Sequence, residues 1–382
     1  MNHFASNRFS WTRFMAVALK EFIQMRRDRL TFAMMVGIPL MQLGLFGFAI
    51  NTDPKHLPTA VINADQSEFS RSFLAAMKNS SYFQLVEVTK SDAEADRLLA
   101  EGKVQFVVNI PLAFSRELLR GERPNLLIEA DASDPSATSN AIAALNELAR
   151  SALTRDLQGS AQAAAGGGNP INLIIHRRYN PEGITQYNIV PGLMGVILTM
   201  TMIMMTGLAM TRERERGTME HLLAMPVNPL EVMLGKIMPY IFVGYIQVVL
   251  TLVISTQVFH VPIQGSLLLL LSCVLLFIAA NLSVGMLFST IARNQMQAMQ
   301  MTFFFFLPSM LLSGFMFPFR GMPVWAQNLG EVLPLTHFLR LVRGIMLKGN
   351  GWVETMPHLW PLVVFMLAVI VLGLKRFKRT LD

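Results

Sequence analysis

Six uncharged apolar runs, each close to the roughly 20 residues a helix needs to cross a bilayer, decide what this chain can become. They fall at residues 30–50, 187–210, 237–259, 266–291, 297–317 and 358–374, and no Asp, Glu, Lys or Arg lies inside any of them. Charged residues make up only 15% of the chain, well under the quarter usual in soluble domains. The net charge is +7, but the basic residues flank the apolar runs and form no patch interleaved with aromatics. That pattern belongs to a membrane protein and argues against a nucleic-acid partner. The first run is long, is preceded by about 30 residues and is not followed by an A-x-A-like site. It reads as a retained signal-anchor.

Lys and Arg near the ends of the runs set the orientation. Residues 1–30 carry six, residues 211–236 carry four, the tail "KRFKR" carries four, and Arg293 sits between the fourth and fifth runs. Six spans with a cytoplasmic N-terminus put all of these on one side. The opposite side then holds 51–186, where 16 acidic residues face 13 basic ones, and a 260–265 connection with no basic residue. Both termini, including the 375–382 tail, are therefore expected in the cytoplasm.

The 51–186 segment is long enough to be a domain. "LPTAVIN", "YFQLVEV", "VQFVVNI" and "PNLLIEA" have strand composition and alternate with helical patterns. Ser91 to Glu94 reads as a capping box. Pro111 to Gly121 reads as a short helix, and residues 135–165 as a long Ala-rich one. "INLIIH" follows "GGGNP" as a further strand. The expectation is a small extracytoplasmic α/β domain inserted between spans one and two. It contains no catalytic constellation; docking of a partner and direct contact with cargo both stay open.

Before the first span, Trp11, Phe14, Met15, Ala18, Phe22 and Met25 form one helical stripe, with Arg13, Lys20, Gln24 and Arg27 off it. Such a basic amphipathic helix lies in the cytoplasmic interface, serving as an anchor or as a contact for a partner. After the second span, Arg212, Arg214 and Arg216 alternate with Glu213 and Glu215. Opposite charges there fall in i,i+3 reach. Gly217 permits a bend, and Thr218 caps a short helix with Met219, Leu222 and Leu223 on one face and Glu220 and His221 opposite. Pro226 closes that helix, and Asn228-Pro229 opens the next. The stretch is either a docking element for a motor or a solvated turn bearing positive-inside charge.

An ion-coupled transporter needs ionisable groups within its spans, and none is present. No G-x-x-x-x-G-K-[ST] loop occurs either; "LEVMLGKI" lacks the first Gly and the final Ser/Thr. A cytoplasmic element that receives work from a separate ATPase would fill that gap. Cys273 is the single cysteine, so no internal disulfide forms and no thiolate metal cluster is expected. The methionines of "LTMTMIMMTGLAM" read as adaptable packing rather than metal ligands. The "FFFF" at 303–306 points several ways round a helix, so at most part of it lines a path.

Three ordered blocks resemble the ABC-2-type permeases, the membrane subunits of bacterial ABC exporters. They are "RYNPEGITQYNIVPGLMGVILT", "RERERGTMEHLLAMPVNPLEVMLGKIMPY" and "LLSGFMFPFRGMPVWAQNLGEVLPLTHFLRLVRGIMLKG", with "KEFIQMRRDR" ahead of them. The likeness is greatest to the drug-export-like subgroup with a large extracytoplasmic domain. It implies a bacterial inner-membrane half-transporter of six transmembrane helices, paired with a like or related subunit on a dimer of ABC ATP-binding subunits. It also implies a coupling helix at 218–225 within an ATPase-coupling set running from Arg212, Glu213, Arg214, Glu215, Arg216 and Gly217 to Thr218, Met219, Glu220, Leu222 and Leu223. The 11–28 helix becomes a connecting helix, with Phe14, Lys20, Glu21 and Arg27. Pro318, Pro323 and Pro334 cut residues 318–357 into short external re-entrant helices, tolerable only where protein or water covers them.

The resemblance implies no cofactor and no catalysis in this chain, ATP and Mg belonging to the partner. It admits a periplasmic adaptor and membrane lipids as further partners. Drugs or other amphipathic molecules are the implied cargo, with lipid or lipid-linked polysaccharide as the alternative. A membrane-anchored ligand sensor is the rival of another class, though one or two spans would serve it.

Overall fold

A computed structural model describes residues 54–89, 91–153, 156–157, 169–215 and 229–379. The expected span 30–50, the 11–28 helix and the 216–228 stretch lie outside the described residues.

Strands β1 (Leu57–Asn63), β2 (Phe83–Val88), β3 (Phe106–Ile110), β4 (Asn125–Asp131) and β5 (Asn172–Arg178) fall on the strand-like segments of the sequence. They form one sheet in the order β2-β1-β3-β4-β5, parallel except for the antiparallel β3–β4 pair. Side chains alternate across a strand, so Phe106, Val108 and Ile110 enter one core and Val107 the other. Helices α1 (Glu68–Asn79), α3 (Phe114–Leu119) and α4 (Pro135–Ser151) pack Phe73, Phe114 and Leu145 onto the first face. Helix α2 (Asp92–Ala100) packs Ala95, Leu98 and Leu99 onto the second.

The starts of these helices show which local signals were used. Ser67 caps α1 by accepting from the Ser70 amide at 3.2 Å. Asp134 caps α4 by accepting from Ser136, with Pro135 in the first turn. Asp65 ties this region together, accepting from the amides of Ser67 and Ser115. Burial opposes its charge, but those amides win and hold the carboxyl below its ordinary range. The expected capping box at Ser91 does not close: Ser91 makes no side-chain cap, and the Glu94 carboxylate takes the Thr89 hydroxyl instead. The Ala-rich helix also ends sooner than the composition suggests, at Ser151. There the chain turns so that Leu153 and Leu157 enter the sheet core.

The rest of the described chain is helical. Helix α5 (Thr185–Glu215) runs from the second apolar segment on through Arg212 to Glu215, and α6 (Pro229–Gln257) begins at the proline expected to start it. Helix α7 (Leu267–Ile291) is capped by Ser266, whose hydroxyl accepts from Leu269. Helices α8 (Gln295–Leu312), α9 (Val324–Val332), α10 (Pro334–Arg343) and α11 (Trp352–Arg379) follow. Four of these, α5, α6, α7 and α11, are long and apolar enough to cross a membrane.

The expected fifth span is shorter than its apolar run. Helix α8 stops at Leu312, and the chain leaves through Gly314 at φ 82° with Phe319 folded against it. Its 18 residues reach about 27 Å at 1.5 Å per residue, just under the hydrocarbon thickness. The sixth run, by contrast, begins its helix six residues early, at Trp352. Between them the prolines break the chain as expected, into a 3-10 turn at Phe319–Gly321, then α9 and α10.

The centre of the bundle is the α5–α7 crossing, where side chains small enough for close approach set the distance. A Cβ on Gly285 of α7 would stand 2.6 Å from the Ile203 carbonyl and 2.9 Å from Thr206. Helix α10 wedges into the same core: Phe338 stacks on Phe277 at 4.0 Å, and Gly195 of α5 has no room for a Cβ beside Leu335 and Phe338. The flanking helices α6 and α11 leave apolar residues such as Phe242, Val249, Trp360 and Val364 exposed. That is how helices facing lipid or another subunit are built.

Gly285→Val should therefore destabilise the folded chain by about 1–3 kcal/mol, the usual cost of overpacking. The same change at Gly373, which has open space around it, should leave the melting temperature in detergent near wild type. Equal melting of the two variants would remove the α5–α7 contact from the centre of the fold.

Candidate functional site

Polar side chains gather at the two ends of this bundle. At one end, α5 closes on the start of α8. Asn294 caps α8 by accepting from the Gln297 amide at 2.8 Å, and Gln297 Oε1 accepts from the Arg293 amide. Glu215, at the end of α5, takes the next free donors: the Gln295 amide at 2.8 Å through Oε1 and the Gln295 side-chain amide through Oε2. Arg212 Nε donates to Gln295 Oε1 at 3.3 Å. A carboxylate over a helix N-terminus satisfies orphan N–H groups and complements the helix dipole. The Gln295 side-chain amide, followed by its backbone N–H, holds the Glu215 carboxyl below its ordinary range.

Glu215 is thus engaged within the chain, clamping the two helices where the sequence expected an element turned toward a motor. Glu213 and Arg214 belong to the same helix. Arg216, Gly217, Thr218, Met219, Glu220, Leu222 and Leu223 lie outside the described residues, as do Phe14, Lys20, Glu21 and Arg27.

At the other end the sheet meets the broken helices. Helix α10 runs into a π turn at Gly344–Lys348, closed by Gly349 at φ 73°. The helix stops there, so its last carbonyls need outside donors. Ile345 O accepts from the Gly265 amide at 3.0 Å and Met346 O from Gln264 at 2.9 Å. A Cβ on Gly265 would sit 2.6 Å from the Ile345 oxygen, so only glycine lets the α6–α7 connection come this close.

The π turn aims Lys348 at the sheet. Its ammonium meets Asp131 at the end of β4 and donates to the Leu99 carbonyl at 3.1 Å; the two ionised side chains are 8% and 9% exposed. Asn350 reaches the Ala100 carbonyl, and Asn188 of α5 reaches Asp134 at 3.0 Å. Tyr179 lies beneath Lys348, ring centroid 5.2 Å from Nζ. Burial, helped by the Asp131 charge, pushes the Tyr179 phenol up to about 12, so it stays neutral.

Alongside, Arg340 grips Glu331 with both terminal nitrogens, at 3.0 and 2.6 Å, and lies over the Phe319 ring. His337 Nε2 lies 2.8 Å from the Glu331 carbonyl oxygen. Phe319, Arg320, Glu331, Arg340, Arg343 and Lys348 border a cleft of about 380 Å³ between the sheet and the helix ends.

Lys348, Asp131 and Arg343 were not singled out in the sequence. The available signal was the basic spacing of Arg340, Arg343 and Lys348 in a segment cut by prolines, which is long for a bare re-entrant loop. What these ends do is hold helix to helix and helix to sheet. Among the described residues no group of His, Cys, Asp and Glu has the makings of a metal site.

A profile described as ABC-2 family transporter protein matches residues 29–375. The chain belongs to the ABC-2 transporter family. Relatives of this ABC-2 protein include the probable multidrug ABC transporter permease YbhS of Escherichia coli (strain K12), 32% identical over 98% of each chain. The inner membrane transport permease YhhJ of the same organism is 32% identical over 85% of this chain and 86% of its own. ABC transporter G family member 20 of Dictyostelium discoideum is 25% identical over 94% of this chain but only 50% of its own length.

Removing the Lys348 charge tests how the sheet is held. Lys348→Met leaves Asp131 buried and unpaired, at a cost of about 3–5 kcal/mol. Limited proteolysis should then cut the sheet free of the helices, and Asp131→Asn in the same chain should restore most of the protection. Protection unchanged in Lys348→Met would mean that the pair does not hold the two parts together.

Proposed function

We propose that this ABC-2 protein is the membrane subunit of an ATP-driven exporter, without catalytic groups of its own, working with a separate dimer of ABC ATP-binding subunits and a second permease subunit. The observation that carries the reading is the family match across nearly the whole chain, joined to a membrane-type bundle whose charged end is mechanically tied. In this reading six segments span the bacterial inner membrane: 30–50, the four long helices, and α8, completed by the residues that follow it. Both termini face the cytoplasm, and the sheet lies outside as an inserted extracytoplasmic domain. The alternation of the helices supports this, since the Glu215–Gln295 clamp and the sheet fall at opposite ends of the bundle.

The 218–225 coupling helix would receive the ATPase stroke, and the connecting helix at 11–28 would lie beside it. A displacement of this loop pulls on the end of α5. The Glu215 clamp passes the pull to α8, whose far end opens onto Gly314 and the broken helices. The cargo is best read as drugs or other amphipathic molecules, in line with relatives named as probable multidrug permeases.

Two experiments test this. Leu222→Ala or Glu213→Ala, coexpressed with the cognate ATPase, should insert at normal levels while export falls sharply and ATP hydrolysis stops responding to cargo. Truncating a docked apolar residue at such a contact costs roughly 2 kcal/mol or more. Normal export in both variants would return the loop to a solvated turn. For orientation, a cysteine replacing the exposed Ser139 should react with an impermeant thiol reagent added to intact cells, and one replacing Thr380 should not. Reaction at 380 would reverse the topology.

A further inference from the structure

The sheet has two edges, and only one of them is blunted. Edge strands are templates for pairing, and a bulge is one common way of closing them. On β2 the pairing slips: Thr59 lies opposite Leu85 and Ala60 opposite Glu87, so Val86 is an extra residue that interrupts the strand. On β5 all seven residues pair with β4 in one unbroken register. The Asn172 amide donates to the Pro124 carbonyl at 3.0 Å, and the Arg178 carbonyl accepts from Ala132 at 3.2 Å. Both residues therefore face β4. The direction alternates from residue to residue along a strand, so the N–H and C=O groups of Leu173, Ile175 and Arg177 point outward. Strand β5 ends the sheet, and among the described residues no strand lies beside them.

The ground next to this edge is shaped and charged. A groove of about 420 Å³ runs between α4 and β5, lined by Ile142, Asn146, Ile175, His176, Arg177 and Pro181. Among the described residues no carboxylate lines it. His176 turns to Glu129 at 3.5 Å, whereas Arg177 is exposed and forms no ion pair among the described residues. Leu173 and Ile175 pack on the α4 side of the sheet, and Arg177 shares their side of the strand. A strand laid along β5 would set one side chain beside Ile175 over the groove, and the next but one beside Arg177.

Occupants from this chain fit poorly. Residues 158–168, outside the described residues, contain no acidic residue and nothing larger than glutamine. Strand β5 runs toward the helices, its last residue Arg178 level with Asp131 at the Lys348 joint. Antiparallel pairing with a second copy's β5 would therefore point that copy's helices the opposite way. Parallel pairing about a two-fold axis would set the two Arg177 side chains side by side, and like charges there are destabilising.

We propose that β5 receives an extended segment of another extracytoplasmic protein as an added strand, one in which an acidic side chain stands two positions from an apolar one. The outward main-chain groups of Leu173, Ile175 and Arg177 supply affinity, while the groove and Arg177 supply selectivity. Only the side of the membrane rests on the topology proposed above; the pairing does not.

The test selects a displayed library of random decapeptides on the full chain purified in neutral detergent, and then titrates the enriched peptide by fluorescence anisotropy. Acidic residues should be enriched two positions from valine, isoleucine or leucine. Arg177→Pro removes an outward N–H that β4 does not use, so the variant should melt like wild type while affinity falls at least about tenfold. Arg177→Gln should weaken the acidic peptide and leave its amide analogue unaffected, which decides the matter even where Arg177→Pro does not fold. Val86→Asp, on the bulged edge, should bind like wild type. No enriched peptide, enrichment without the acidic position, or wild-type affinity in both folded Arg177 variants would overturn the proposal. Labelling of the cysteine at 139 from outside the cell settles the side of the membrane separately, so a wrong topology cannot be mistaken for a failed pairing.

Discussion

Every peptide group that enters a bilayer must find its hydrogen bond within the protein, because hydrocarbon offers none. Straight helices meet that demand on their own. The segment from Gly314 to Asn350 does not, and much of this structure follows from how its loose ends are tied. The π turn after α10 would strand carbonyls at the rim of the bundle, and the amides of Gln264 and Gly265 take them. The Gly330 carbonyl accepts from the Thr336 hydroxyl across the break between α9 and α10. The broken segment thereby becomes a rigid wedge, with Phe338 stacked on Phe277 at the core and Lys348 projecting to the sheet.

The opposite end has a similar requirement and a different donor set. Helix α8 starts in the turn after α7, and its first amides are satisfied by Asn294 and Glu215. Because Glu215 belongs to α5 and is itself exposed, parting the two helices at that end returns its carboxylate and the Gln295 donors to solvent.

The strands and the long helices were legible because their signals are local. Alternation within "FVVNI" and the uncharged run of α7 need no knowledge of the rest of the chain. The length of α8 was less legible: its apolar run continues past Leu312, and only Gly314 at positive φ and the fold-back of Phe319 end the helix. The capping box at Ser91 failed because the Thr89 hydroxyl captured Glu94. The ionic joint was illegible in principle, since Asp131 and Lys348 are 217 positions apart and nothing in either neighbourhood announces the other. For the proposed coupling residues, the described structure places Arg212 to Glu215 on one helix and gives Glu215 an internal partner that charge alternation alone did not suggest.

That separation has a consequence for biogenesis. The sheet is complete once β5 has been made, yet the lysine that neutralises Asp131 emerges from the ribosome some 170 residues after it. Through that interval the sheet must stay soluble with its acidic corner hydrated, and it can seat on the helices only after α10 and the π turn have been inserted. Closure of that pair is thus a late step, which the chain cannot complete before its last helices are made.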